Sequence, residues 1–508
     1  MALNETYLCG CGLEPGPAAA PAPPADFRQW GARRWEGADT TRLNEAHWLY
    51  AADESINAWI AAQLSILRGR SCYEAKNNPI VLGMIATHAD DIVGPDGPVL
   101  QVQSDDDAYN QALERVWSDW FYAPTHLRNL SGAALLKLWL KGLWKQGAIL
   151  AQIFTDEQAE GPVKMRLRPM NTRRLATPGA MAGNPNVFMG VEYDRVGRPI
   201  RYWIQDQTGI GATTLALSYS PIPADLIIHE YLIEEEDQGR GIPLMSAGLQ
   251  STADLRDYDD QIHDAARQMA DQAALLYTER TDIPVYTIPE QTTMQRRTVK
   301  MAPPGWKPWT YAATAPPVQY PDYRAEKHLD MGRPASMPRL LVRLDASKHS
   351  WASARLDIDT FRRAASCLQA WLGGSERSYG TLNRLVDEVV REARFTEPAL
   401  RKRPPRVSYQ WTWPLLPPVE EEKQQSADEI GLRNRTKTLT DILTARKKTL
   451  AMHVEELTRE RAAFEEAELP LPAWMESTPV GGNQTVAAAA NNVPRDSDQA
   501  DAVEALNG

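Results

Sequence analysis

A cluster of aspartates in the middle of the chain is the feature best suited to chemistry. Asp260 and Asp264 are four residues apart with His263 between them, so on a helix the two carboxylates share one face. Carboxylates and imidazoles bind divalent metals, and a bound metal can activate water against a phosphodiester. Acidic runs on helices are more often solvated faces or ion-pair partners, and we favour that interpretation over a metal site. The acidic set is Asp254, Asp257, Asp259, Asp260, Asp264 and Asp271.

No other pattern indicates catalysis. The sequence has no G-x-S-x-G, no G-x-x-x-x-G-K-[ST], no H-E-x-x-H and no dinucleotide fingerprint, and its eight histidines are dispersed. The missing phosphate-binding loop excludes a P-loop ATPase. Cys9 and Cys11 are half of a metal-binding pattern without a second pair, and the four cysteines form no disulfide framework. We therefore predict a protein that is not an enzyme and holds no metal or cofactor.

Two groups of side chains can contact partners. The basic group is Arg339, Arg343, Lys348 and His349, which either touch phosphates or remain solvent-facing loop charges. The aromatic group is Trp306, Trp309 and Tyr311, which lies in a Pro-rich stretch. An exposed aromatic there can anchor a partner protein, and local packing explains it equally well.

Other notable side chains have structural interpretations. Arg256 and Arg267 are predicted to pair with neighbouring acids, either within their helix or between subunits. The tryptophans at 117, 120, 139 and 144 could stack on bases, but their helical spacing predicts that they belong to a core.

Composition bounds the class of protein. At 508 residues the chain is too long for one core, and its net charge of −11 argues against a protein that coats DNA. It does not exclude a protein that surrounds DNA without gripping it. The N-terminus lacks a signal-peptide pattern, and no apolar run is long enough to span a membrane.

The elements that position these residues fall into a mostly helical α+β arrangement. Residues 1–27 are rich in Ala and Pro and are predicted to be disordered. Helices are predicted at 41–69, 78–93, 105–120 and 131–146, and a short strand at 99–102. Alternating segments at 148–154, 164–169, 188–193, 200–205 and 226–231 predict a small sheet.

A long acidic helix follows this domain. Residues 243–279 contain no proline after the first position and predict a rod of roughly 50 Å. A short Pro-rich β-like patch and a returning helix at 323–332 complete a stalk with a cap. Such a helix needs neighbours, and copies of the chain arranged in a ring supply them most simply. Acidic walls around a channel would prevent tight phosphate contacts, so a polyanion would slide through.

The remaining segments are predicted to be mainly helical. Helices are expected at 354–371 and 379–394, with weak helical period at 340–353 and a strand at 406–413. Residues 420–468 predict two or three charged helices, and 476–508 read as a disordered tail.

Several segments, in order, resemble portal proteins of tailed bacteriophages, of the lambda-like branch. They are NNPIVLGMIATHADDIVG (77–94), GVEYDRVGRPIRYWI (190–204), IPADLIIHEY (222–231), GRGIPLMSAGLQSTADLRDYDD (239–260), PPGW (303–306), SWASAR (350–355), WTWPLLPPVEEEKQQSADEIGL (411–432) and ELPLPAWM (468–475). The stretch LVRLDASKHSWAS (341–353) departs from the usual sequence pattern of that branch.

The resemblance implies a portal fold with wing, stem, clip and crown parts. It places the wing at 28–242, the stem at 243–279 and 321–336, and the clip at 280–320. It places the tunnel-loop region at 337–355, further wing helices and the return strand at 356–419, and the crown at 420–475.

The resemblance also implies a ring of twelve subunits at one capsid vertex of the virion, assembled in the host cytoplasm. The ring would pass double-stranded DNA during packaging and ejection. Its expected partners are the terminase large subunit, head-completion and tail connector proteins, and the major capsid protein, with no membrane involved. Two alternatives stay open: another head-tail structural adaptor, and a metal-dependent nucleic-acid enzyme.

Overall fold

The computed structural model describes residues 53–207, 215–271, 275–277, 307–309, 317–374, 378–414, 421–445, 450–467 and 470. The chain divides into two compact units, Met1–Ser55 and Ile56–Gly508, and every element below belongs to the second. The described residues form a mostly helical α+β structure, which confirms the predicted fold class. None of the described helices is both long and apolar enough to cross a lipid bilayer.

Four helices and one strand open the second unit. In chain order they are α1 (Ile56–Asn77), α2 (Pro79–Val93), β1 (Val99–Gln103), α3 (Asp107–Tyr122) and α4 (Gly132–Gln146). Side-chain caps fix where α2 and α4 begin. The Asn78 side chain accepts from two backbone amides of the first turn of α2, and Ser131 does the same for one amide of α4. Gly147 ends α4 in the left-handed region, at a φ of 80°.

Seven strands follow α4 and form two antiparallel sheets. They are β2 (Ala148–Thr155), β3 (Met165–Pro169), β4 (Val187–Phe188), β5 (Val191–Tyr193), β6 (Pro199–Gln207), β7 (Leu215–Pro223) and β8 (Ile227–Tyr231). The first sheet has the order β3–β2–β8 and the second β4–β5–β6–β7. Alternate residues of β2 face opposite sides, so Ile149, Ala151 and Ile153 enter the main core while Leu150 enters a second, smaller one.

The described part of the second half of the chain consists mainly of helices, with three short strands. Its elements are α5 (Leu249–Asp271), β9 (Leu275–Tyr277), β10 (Lys307–Trp309), α6 (Tyr320–Gly332), α7 (Arg339–Arg343), α8 (Trp351–Gly373), α9 (Thr381–Ala393), β11 (Ser408–Thr412), α10 (Glu421–Arg433), α11 (Leu439–Ala445) and α12 (Leu450–Glu466). Strand β11 returns to pair with β1, so the chain closes on the first helices again.

The main core lies where α2, α3, α4, α8 and α9 meet the first sheet. The tryptophans at 117, 120, 139 and 144 are all buried in it, which confirms the prediction that they pack rather than stack on bases. The indole of Trp120 donates to the carbonyl of Met165 at 2.8 Å, and that of Trp144 donates to Nδ1 of His88 at 3.1 Å. These two aromatic side chains therefore bury their bulk and still satisfy their N–H groups.

Two helix boundaries differ from the sequence prediction. Helix α1 continues to Asn77 instead of ending at Gly69, because Ser71, Glu74 and Ala75 beyond the glycine are buried against the core. Helix α5 ends at Asp271 and not at residue 279, because β9 pairs with β10 and takes that stretch out of the helix.

Strand β7 was absent from the prediction. It carries Pro221 and Pro223, which weaken the strand signal in the sequence. As the last strand in the order of its sheet it needs no second partner, a position that tolerates proline.

Candidate functional site

Helices α5 and α6 pack against each other in opposite directions: Asp254 of α5 contacts Lys327 of α6, and Asp259, one turn later, contacts Tyr320 at the start of α6. At 1.5 Å per residue α5 is roughly 35 Å long and α6 roughly 20 Å. Aromatic rings form their apolar seam, with Tyr258 lying 4.7 Å from Tyr323 and 6.0 Å from Tyr320 between ring centroids. At the base of the pair Leu255 is buried, which joins the seam to the main core.

Two of the predicted acidic residues hold this helix pair together. Asp259 accepts a hydrogen bond from the hydroxyl of Tyr320 at 2.7 Å and lies 3.7 Å from the guanidinium of Arg324. Asp254 lies 3.6 Å from Nζ of Lys327. Both carboxylates therefore contribute contacts between the two helices.

Three other aspartates face away from α6. Asp257, Asp260 and Asp264 are exposed, and at about 100° per residue they fall on the side of α5 opposite the residues that contact α6. We call these three residues the outer acidic face. Its only described ion pair is the one between Asp264 and Arg267, at 3.7 Å and with both side chains largely exposed, so it neutralises little. Asp271 ends the helix, and its side chain lies outside the described residues.

The described acidic side chains of α5 are not arranged like the ligands of a metal ion. Within the described residues there is no group of three or more His, Cys, Asp or Glu side chains arranged to hold a metal ion. The aspartates are divided between two faces of one helix, whereas a metal needs its ligands to converge on one point.

Arg256 and Arg267 both pair with acids, as predicted, but in different ways. Arg267 pairs within its own helix, whereas Arg256 reaches α1 and donates to both carboxylate oxygens of Glu74, at 2.6 and 2.7 Å. Glu74 is buried, and this hydrogen bond raises the pKa of Arg256 above its usual value. The contact ties the first half of α5 to the end of α1, where the guanidinium also lies over the ring of Tyr73. An acid on a distant helix could not be identified as the partner from spacing alone.

Three members of the predicted basic group, Arg339, Arg343 and Lys348, lie near Asp322 in the first turn of α6. Lys348 donates to Asp322 at 2.7 Å, and this bond is the main reason that the pKa of Asp322 is lowered. The charges of Arg339 and Arg343, both half-buried on α7, add to that lowering.

His349 points elsewhere than the other three. Its Nε2 lies 3.1 Å from a carboxylate oxygen of Asp357 on α8, and only 9% of the side chain is exposed. Lys348 and His349 are therefore both engaged with carboxylates of their own subunit. Their contact with phosphates remains a prediction, and it requires both of these contacts to open.

Arg240, at the entrance to α5, has a role that the sequence did not reveal. It is fully buried, and its guanidinium donates to the carbonyls of Met189 at 2.6 Å, Thr172 at 3.2 Å and Leu175 at 3.3 Å. Burial lowers the pKa of Arg240 to about 9. The side chain thus ties the second sheet to the segment that leads into α5.

Glycines on both sides of Arg240 allow this arrangement. A side chain at Gly241 would collide with the carbonyl of Gly147, and one at Gly239 would come within 2.6 Å of the ring of Phe188. The motif GRG marked this position in the sequence. A charged residue between two glycines is nevertheless expected on a surface, which is why its burial was missed.

The aromatic candidates are mostly outside the described residues. Trp306 and Tyr311 lie there entirely, together with most of 280–320. Trp309 is part of β10, whose backbone pairs with Leu275 of β9, and its side chain is not among those described. The predicted disordered stretches 1–27 and 476–508 also lie outside the described residues.

Comparison with known proteins gives a family for this architecture. A family model described as phage portal protein, lambda family, matches residues 42–369. No curated protein matches the chain.

Similar solved structures include two particles and one isolated protein. The neck of an empty GTA particle has a TM-score of 0.44 at 13% identity, covering 74% of this chain and 93% of that one. The virion of a native gene transfer agent particle has a TM-score of 0.41 at 13% identity, with coverages of 76% and 93%. An HK97 family phage portal protein from Corynebacterium diphtheriae has a TM-score of 0.30 at 11% identity, with coverages of 67% and 93%.

The match to this family model gives the class of protein, which is that of phage portal proteins. The family match covers well over half of the chain and carries the assignment without the solved structures. The chain belongs to the lambda family of phage portal proteins, as the motifs in its sequence indicated. That family is structural and non-enzymatic, in agreement with the prediction that the chain is not an enzyme.

Proposed function

We propose that twelve copies of this chain form a ring at one vertex of the phage capsid and that double-stranded DNA passes through its centre. In this proposal α5 and α6 form the stem, residues 28–242 and 356–419 the wing, 280–320 the clip, 337–355 the tunnel-loop region and 420–475 the crown. The terminase large subunit and the head-tail connector proteins dock at the clip, and the major capsid protein surrounds the wing. Assembly takes place in the host cytoplasm.

An exposed apolar stripe on α1 is the main observation that supports the formation of a ring. Its members are Trp59, Ala62, Ile66, Gly69 and Tyr73, all exposed and spaced three and four residues apart. Trp59 is 37% exposed, Ile66 51% and Tyr73 55%. This spacing is the one that helices use to pack against a partner helix.

The opposite face of α1 is already occupied. Ile60, Leu64 and Ala75 are buried against the rest of the unit, so α1 is apolar on two sides. A surface helix with one partner needs only one apolar face. The second face supports contact with another subunit, and its last member, Tyr73, lies beside Arg256 at the base of the proposed stem.

The outer acidic face of α5 supports a channel. Asp257, Asp260 and Asp264 are directed away from α6, and Asp257 and Asp260 have no described ion-pair partner. Carboxylates repel phosphates, and they cannot displace the counterions around DNA as lysine and arginine do. A channel wall of this kind therefore lets DNA move without binding it tightly.

The mass of the purified chain in solution tests the ring. Twelve copies of a 56.7 kDa chain have a mass of about 680 kDa, and negative-stain images should show rings with a central hole.

Ile66→Asp should abolish the rings, because it places a charge in the centre of the apolar stripe. The matched control is Val196→Asp in the turn after β5, where the valine is 77% exposed and outside the stripe.

Two results would count against the proposal. A well-folded wild-type chain that stays a single subunit at high concentration would exclude the ring. Rings formed equally well by Ile66→Asp and the wild type would show that α1 is not a subunit contact.

A further inference from the structure

A groove opens where the two sheets of the domain diverge. It has a volume of about 660 Å³. On one side Gln152 and Phe154 of β2 line it, on the face of the strand that also carries Leu150 into the second core. Strand β6 contributes Gln207, and the segment after β3 contributes Met170. The floor of the groove is therefore partly apolar.

Three arginines line the same groove. Arg168 lies at the end of β3, directly opposite Gln152 in the register, and Arg173 and Arg174 lie in the short helical turn Thr172–Arg174. Arg174 is buried and held by a hydrogen bond from its Nε to the carbonyl of Gln205 at 2.9 Å. Arg168 is half-buried and Arg173 is exposed.

These cations are brought together without a matching acid in the lining. No carboxylate lines the groove, and among the described residues none forms an ion pair with Arg168 or Arg173. The cations are also close enough to repel one another. Burial lowers the pKa of Arg174 and of His126, and the charge of Arg168 lowers both further. Asp206 lies outside the lining, and its charge offsets part of this lowering for Arg174 alone.

A positive groove is unusual in a subunit whose net charge is −11. Assembling like charges costs energy that a bound anion recovers, and arginine forks suit carboxylates and phosphates. His126 also lines the groove, and its Nδ1 is buried without a described hydrogen-bond partner.

We propose that this groove binds an extended acidic segment of a partner protein, one that places an apolar side chain against Phe154 and Met170 and carboxylates on the arginines. The mixed lining favours a peptide over nucleic acid, because only part of its wall is charged and the rest includes the apolar side chains of Phe154 and Met170. A long polyanion would also be repelled by the acidic remainder of the subunit. The site differs from the proposed channel and does not depend on it.

Fluorescence anisotropy with a labelled peptide of sequence GDEFDELDG tests the proposal on the full-length chain. The wild type should bind it, and the uncharged counterpart GNQFNQLNG should bind at least about tenfold more weakly. The double variant Arg168→Gln, Arg173→Gln should weaken binding of the acidic peptide by about tenfold or more. Neither arginine is fully buried, so the fold should persist, and circular dichroism checks this.

The matched control is the double variant Arg195→Gln, Arg198→Gln, which removes the same two charges from the exposed turn between β5 and β6. It should change the affinity less than about twofold. Absence of binding by the wild type, or an equal loss in the control, would overturn the proposal. Tighter binding of a labelled oligothymidine that the double variant abolishes would assign the groove to nucleic acid instead. Full displacement of the peptide by millimolar inorganic phosphate would show that the groove is only a site for small anions, which would also overturn the proposal.

Discussion

Replacement of His88 by glutamine should make the protein more resistant to acid. His88 is buried among α2, α4 and α8, with the ring of Phe361 at 6.2 Å. Its Nδ1 accepts the hydrogen bond from the indole of Trp144, so this nitrogen must be unprotonated. A proton on Nδ1 would oppose that N–H group and place a charge in the core. Glutamine keeps an acceptor for Trp144 and does not titrate.

The size of the effect follows from the pKa of His88, which burial lowers to about 4 from 6.5. The unfolded chain therefore takes up this proton before the folded chain does. Stability from the neutral histidine is complete above pH 6.5 and is lost as the pH falls towards 4. The full gap is worth about 3 kcal/mol, and about 2 kcal/mol of it is lost by pH 5.

Urea-induced unfolding at pH 7.5 and at pH 5 measures this loss. His88→Gln should lose about 2 kcal/mol less than the wild type between the two pH values, whatever its stability at pH 7.5. Burial lowers the pKa of His328 to about 4 as well, so part of the acid sensitivity should survive in the variant. His263→Gln, on the exposed part of α5, is the control and should behave like the wild type. Equal losses in His88→Gln and wild type would refute the assignment.

Two further predictions concern α5 and its entrance. The triple variant Asp257→Lys, Asp260→Lys, Asp264→Lys should still form rings but retain DNA in filter-binding assays, with the log–log salt slope steeper by about 0.9 for each new phosphate contact. The matching triple Asn variant isolates the loss of negative charge, and unchanged DNA retention in the Lys variant would contradict a channel wall on this face. Arg240→Met should lower the free energy of unfolding by about 3 kcal/mol or more, since three backbone carbonyls lose their donor at about 1–3 kcal/mol each. Arg195→Met is the control for Arg240, and a loss below about 1 kcal/mol would show that water replaces the guanidinium.

Local signals in the sequence identified most elements of the fold. The start of α2 was predicted at Asn78, before Pro79, and that of α4 at Ser131. These starts could be predicted locally because a capping side chain bonds to backbone amides of the next turn. The buried tryptophans followed from helical spacing. The helix ends that were predicted wrongly depend on contacts between residues that are far apart in the sequence. Helix α1 passes Gly69 because of burial beyond it, and α5 stops early because a strand some thirty residues later pairs with its continuation.

The same distinction applies to the candidate site. The aspartates of α5 were visible as a group, but nothing within the helix told Asp254 and Asp259 apart from Asp257 and Asp260. Only the position of α6 separates the carboxylates that hold the helix pair from those that face outward. Likewise, the importance of Arg240 depends on three carbonyls that are between about 50 and 70 residues away in the chain.

The two-sided character of α1 has a consequence for how the subunit survives before assembly. Trp59, Ile66 and Tyr73 remain in contact with water in a solitary chain, and no rotation of the helix can hide them without uncovering Ile60 and Leu64. Free subunits therefore expose the apolar stripe, and their tendency to aggregate through it increases with their concentration. In a cell that synthesises many copies at once, precipitation competes with productive assembly, and the outcome is set by which encounter comes first.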